Sequence, residues 1–266
     1  MRKKGIKERV EQFSEGLLAA VTDFLLFNLY FFGASLGKGK SSRAFYQAVW
    51  EANDLLANFD YRTIREAIKR LKRSGFISMV REGEITAAGR RRLERLLPQF
   101  EEKRLWDGSL YLVTYDIPEG KKEVRDKLRG YLLKMGMGRM HQSVWITSYN
   151  PTKILEEFVE ENGLQEETIV VSKIGRDGFV GKGSLKELVE QVYGLAEINR
   201  EYGKFLKEVE GGKRDRFKLA LRFLSILKRD PQLPWELLPD DWLGKEAWLA
   251  YQRLLGRRGR VVEKGL

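Results

Sequence analysis

The sequence predicts an α+β protein of three domains: an N-terminal winged helix-turn-helix over residues 1–98, a ferredoxin-like α/β sandwich over 99–183 and a helical domain over 184–266. Three observations predict it. In the first hundred residues, helical apolar spacing gives way to two short apolar runs around a glycine turn. Strands and helices then alternate between residues 110 and 174, and from Ser184 onward the spacing is helical again. At 266 residues the chain is long enough to build more than one core.

The first element is the apolar run Leu17–Phe32. It holds Thr22, Asp23 and Asn28 and is shorter than the ~20 residues a spanning helix needs, so it is expected to be a buried helix with no membrane role. After a glycine-containing loop at Gly33–Lys40, Ser41 and Ser42 can cap a second helix with Phe45, Val49, Ala52, Leu55 and Leu56 on its apolar side. Asp60 can cap a third. There Ile64, Ala67, Ile68 and Leu71 form the buried stripe, while Arg62, Arg65, Lys69, Arg70, Lys72 and Arg73 face elsewhere. Gly75 ends it. Phe76–Val80 and Glu84–Thr86 read as two short strands around Arg81-Glu82-Gly83, and Ala87–Leu97 reads as a helix stopped by Pro98.

Helix, turn, cationic helix, two-stranded wing and helix is the winged helix-turn-helix order. That geometry lays the third helix in the major groove of double-stranded DNA. Tyr61, Arg62, Thr63 and Arg65 would then meet base edges, and Lys69, Arg73 and Arg81 would meet phosphates. The charge agrees: residues 1–100 carry +8, residues 101–200 carry −2 and residues 201–266 carry +5, within a total of +11. Clustered cations are what a polyphosphate rewards, through counterion release. The bland readings are a solvated cationic face, or a winged helix that binds only protein.

In the middle region Leu110–Asp116 is a strand stopped by Pro118, and Gly120–Met135 is a helix with Val124, Leu128, Tyr131, Leu132 and Met135 on one side. Arg139–Thr147 is a second strand region. Asn150-Pro151 opens another helix, with Ile154–Val159 on its buried side, and Thr168–Ile174 is a further strand. The glycines at 175, 178, 181 and 183 match neither a P-loop nor a dinucleotide fingerprint and read as a flexible connection.

The last region reads as a long amphipathic helix from Leu185 to Leu206, an apolar helix at Phe217–Leu227 and a final helix at Leu243–Leu255, before a basic tail at 257–260. Between the last two helices, Pro231, Pro234 and Pro239 forbid helix. Trp235 and Trp242 flank that loop. They can offer flat apolar walls to an aromatic effector, or staple the loop to its neighbours.

The absence of cysteine removes disulfides, thiolate metal sites and thiol nucleophiles, which fits a reducing, cytoplasmic setting. The single histidine, His141, has no triad partners in view. No cofactor or metal is expected.

The run Tyr115–Thr147, YDIPEGKKEVRDKLRGYLLKMGMGRMHQSVWIT, resembles the middle domain of the PaaX-like regulators, the phenylacetic-acid catabolon repressor family. That domain is in turn related to the small CRISPR-associated ferredoxin-like protein of spacer acquisition, to which the MHQSVW strand is the closer match. Asp230–Ala247, DPQLPWELLPDDWLGKEA, resembles the family's C-terminal signature, so the likeness covers most of the chain. It implies a homodimeric repressor released from DNA by a small effector, an aryl-acyl-CoA in the named members. It also places Asp116 where the CRISPR-associated relatives hold an aspartate invoked in phosphodiester cleavage. Two such carboxylates across a dimer, with Mg or Mn, would make a metal-dependent nuclease the rival reading. Set against that, a lone aspartate before Ile-Pro is an ordinary turn residue.

Overall fold

The computed structural model describes residues 21–32, 61–78, 84–164, 168–174, 184–212 and 216–255. The chain divides into two compact units, each drawn from separate stretches: residues 1–100, 201–229 and 243–266 in one, residues 101–200 and 230–242 in the other.

In the helical unit, α1 (Val21–Phe32) packs on α2 (Tyr61–Arg73) and α3 (Ala87–Leu96). Phe24, Leu25, Leu26, Phe27 and Leu29 are all buried, so α1 is apolar on several sides because it is enclosed by protein. Part of the enclosure comes from α8 (Arg216–Arg229), whose Phe217 ring lies 5.6, 5.3 and 5.5 Å from those of Phe24, Phe27 and Phe31. Phe223 of α8 stacks on Tyr251 of α9 (Gly244–Leu254) with centroids 4.5 Å apart, and Trp248 of α9 stacks on Phe100 at 5.1 Å. No helix among the described residues is long and apolar enough to cross a membrane.

The sheet unit runs β1 (Leu110–Tyr115), α4 (Lys122–Lys134), β2 (Gly138–His141), β3 (Val144–Thr147), α5 (Thr152–Glu161), β4 (Ile169–Ile174) and α6 (Leu185–Tyr193). Its four strands lie in the order β2-β3-β1-β4, every neighbouring pair antiparallel. Alternation along β1 sends Val113 and Tyr115 to one face, where they meet Trp145, Leu128 and Leu132 of α4, and Leu155 and Phe158 of α5. On the other face, Gly138 and Ile146 share a register position, and Val192 and Tyr193 of α6 come so close to Gly138 that a Cβ there would lie 2.5 Å from Val192 Cγ1. Only glycine admits α6 at that point.

Two expectations are corrected here. Arg139–Thr147 is a hairpin rather than one strand region: β2 and β3 are separated by Gln142-Ser143, with an irregular register between Arg139 and His141. The expected Leu185–Leu206 helix is broken at Gly194, which adopts φ +64° as a left-handed cap before α7 (Leu195–Glu210) begins. At the other end of α6, Ser184 and Glu187 form a capping box. The proline segment is irregular apart from a single 3-10 turn at Trp235–Leu237.

Candidate nucleic-acid interface

Helix α2 has two opposed faces. Ile64, Ala67, Ile68 and Leu71 are buried, whereas Arg62, Arg65, Arg70 and Arg73 are exposed. Lys69 and Lys72 are partly exposed, so all six cations of the helix stand off the core side. The last-turn cations Arg70, Lys72 and Arg73 also complement the carbonyl end of the helix. One acidic residue interrupts the face. Glu66 accepts a hydrogen bond from Lys69 Nζ at 2.9 Å, and that bond, ahead of the charges of Lys69, Arg73 and Arg65, holds its carboxyl below the usual carboxylate range.

The end of α2 is tied to the start of α3 through one threonine. Gly75, at φ +69°, turns the chain out of α2, and the Phe76 N–H returns to the Leu71 carbonyl at 2.9 Å. Ile77 and Ile85 then form an antiparallel bridge, and Ser78 N–H donates to Glu84 O at 2.8 Å, which makes the base of a hairpin. Thr86 closes the junction. Its Oγ1 donates to Gly75 O at 2.6 Å and accepts from Gly89 N–H at 3.1 Å, capping α3. Gly89 faces the hairpin so closely that a Cβ would fall 2.1 Å from Phe76 O. Helix α3 then presents Arg90, Arg91 and Arg95 to solvent, while Arg92 bonds to Asp23.

Of the residues expected at DNA, Arg62, Arg65, Lys69 and Arg73 therefore share one surface. Thr63 is partly buried on the flank, and Tyr61 opens the helix. Arg81 and the tip of the hairpin lie outside the described residues, as do the expected second helix, the Asp60 cap, the glycine-rich connection and the basic tail. Sequence reasoning passed over Arg90, Arg91 and Arg95. The arginine run is plain in the sequence, but which member is spent on an ion pair depends on Asp23, 69 residues away.

Two family models match the chain, the PaaX protein central Cas2-like domain over residues 103–189 and the PaaX-like protein C-terminal domain over residues 193–261. The chain belongs to the PaaX-like family. No curated protein matches it. Among solved structures, this PaaX-like chain is similar to an uncharacterized protein, Rv0674, from Mycobacterium tuberculosis. The two are 20% identical with a TM-score of 0.54, over 86% of this chain and 92% of that one, which shows a shared fold.

The other candidate residues of the PaaX-like chain lie in the sheet unit. Asp116 is exposed just past β1, its backbone N–H donating to Thr168 O at 3.0 Å, and no hydrogen bond reaches its carboxylate among the described residues. Also among the described residues, no group of three or more His, Cys, Asp or Glu is placed to hold a metal ion. His141 is exposed at the end of β2. The family's proline segment is tied to the sheet unit at several points. Arg104, itself buried, donates to Leu233 O at 3.1 Å and lies 4.1 Å over the ring of Trp235, whose Nε1 donates to Glu102 O at 3.2 Å. Lys186 pairs with Asp240 at 2.7 Å, and Asn199 donates to Asp241 O at 3.1 Å. Trp242 is 8% exposed. Trp235 thus ties this loop to the segment at Glu102–Arg104.

Proposed function

We propose that this chain is a DNA-binding transcriptional regulator in which α2 is the reading helix of a winged helix-turn-helix. The observation that carries the reading is the cationic face of α2, set opposite a buried aliphatic stripe and fixed through Gly75 and Thr86 to the hairpin and α3. A rigid helix with clustered, solvent-facing arginines satisfies both needs of groove recognition: side chains that reach base edges, and a local charge that releases counterions. Arg62 and Arg65, in the first turns, are assigned to bases. Lys69, Arg73 and Arg81 are assigned to phosphates, and the exposed Arg90, Arg91 and Arg95 to phosphates flanking the groove.

Family membership supports the regulator reading, and with it a cytoplasmic homodimer that acts as a repressor and is released by a small effector of the acyl-CoA type. A two-fold dimer would read a pseudo-palindrome whose half-site spacing matches its own symmetry.

The test is binding of the full chain to duplex DNA from its own upstream region across a salt series, with Arg62→Ala and Arg65→Ala beside the native protein. Tight, site-selective binding that both substitutions abolish is expected. Weak, sequence-blind binding indifferent to both would overturn the reading.

A further inference from the structure

We propose that Glu66 is a specificity-determining residue of α2, accepting a hydrogen bond from the exocyclic amine of a cytosine in the bound duplex. The inference rests on the reading of α2 as the DNA-contacting helix.

Helical spacing puts Arg62, Glu66, Lys69 and Arg73 in one line along the centre of the outward face, opposite Ile64, Ile68 and Leu71. A carboxylate in that line is held ionised by its neighbours and opposes approach to a polyanion, so phosphate binding alone gives it no use. The major groove offers a carboxylate two kinds of donor, cytosine N4 and adenine N6. In adenine the N7 acceptor stands beside the amine and repels the second carboxylate oxygen; cytosine has no acceptor there. Cytosine is therefore the base this side chain selects.

Lys69 prepares the group. Its Nζ lies 2.9 Å from Glu66 Oε1, leaving Oε2 to accept from the base, and both side chains remain 40–45% exposed. As a surface i,i+3 pair it adds little to the stability of the helix. Its effect is to fix the direction of the carboxylate.

The experiment is selection from a randomised duplex library at one salt concentration with the full-length native protein, Glu66→Gln and Glu66→Ala. The native motif is expected to contain a C·G position per half-site at which Glu66→Ala lowers the preference roughly tenfold, leaving the other positions unchanged. Glu66→Gln should move that same position toward adenine, whose N6 and N7 suit a side-chain amide. If both variants keep the native motif at every position and bind all duplexes more tightly by the same factor, Glu66 is only an electrostatic opponent of DNA and the proposal falls. If the native protein enriches no motif and Arg62→Ala and Arg65→Ala change nothing, the reading of α2 fails first and takes this inference with it.

Discussion

The Arg92 guanidinium donates three hydrogen bonds to the Asp23 carboxylate, from Nε at 3.2 Å and from Nη2 at 3.1 and 3.2 Å, joining α3 to α1. Asp23 is 8% exposed, so removing the arginine strands a buried charge, whereas removing the aspartate frees a guanidinium whose side chain is already 43% exposed. Arg92→Ala is expected to cost about 1–3 kcal/mol, less than a fully buried pair because water reaches the arginine, and Asp23→Asn less again. Urea unfolding of both variants checks the order; equal losses would refute it.

Gly89→Ala should be more harmful than a usual glycine-to-alanine change in a helix, which favours helix. The new Cβ would collide with the Phe76 carbonyl, which is backbone and cannot swing away. A loss of roughly 1–3 kcal/mol is expected, as for overpacking, together with weaker DNA binding because the hairpin base must open. An unchanged melting temperature would show that the helix and hairpin can separate freely.

The two basic helices should separate in a salt series. Arg62→Ala and Arg65→Ala are expected to remove sequence preference. Joint replacement of Arg90, Arg91 and Arg95 by glutamine should weaken binding to all duplexes alike and lower the slope of log K against log salt by about 0.9 for each phosphate that is no longer neutralised. A slope identical to that of the native protein would remove α3 from the interface.

Tyr193 sets an alkaline limit on the sheet unit. Burial pushes its phenol up to about 12, only partly offset by the Gly138 backbone N–H, and its hydroxyl donates to Ile146 O at 2.9 Å. The folded state therefore keeps a proton that the unfolded chain loses near pH 10. Stability is fully present below pH 10 and falls as the pH rises from 10 to 12, by roughly 2–3 kcal/mol in total. Denaturant titrations across that range should show the loss, and Tyr193→Phe should remove it at the cost of one hydrogen bond.

Asp116 offers a direct comparison of regulator with nuclease. Native protein and Asp116→Ala, each incubated with duplex DNA and Mg²⁺ or Mn²⁺, are expected to leave the DNA intact and to unfold within about 0.5 kcal/mol of each other, as for an ordinary surface substitution. Metal-dependent cleavage by the native protein alone would favour the nuclease.

What the sequence disclosed was governed by distance along the chain. The buried stripe of α2, the return to helix from Ser184, the proline interruption and the start of α5 are local. At α5, Asn150 Oδ1 accepts from Thr152 N–H at 3.0 Å. The β2–β3 hairpin was missed because Gln142-Ser143 carries none of the glycine or asparagine chemistry that marks tight turns. Gly194 was missed because a single glycine within helical spacing is indistinguishable from a tolerated one until its φ is known. The arginines of α2 and α3 were countable, but their division into exposed and paired members was not. Arg92 and Asp23 announce each other only in three dimensions, as do Phe217 and its partners on α1.

The packing of Phe217 against Phe24 and Phe27 has a consequence for synthesis on the ribosome. The core of the helical unit cannot close until the segment 216–229 has emerged, more than half the chain after α1. At roughly 5–20 residues per second, that leaves the aromatic face of α1 without Phe217 for about ten seconds or longer. During that interval the nascent chain displays the side of α1 that Phe217 covers. Until the missing ring arrives, native cover for α1 comes from α2 and α3, which leave the ribosome first.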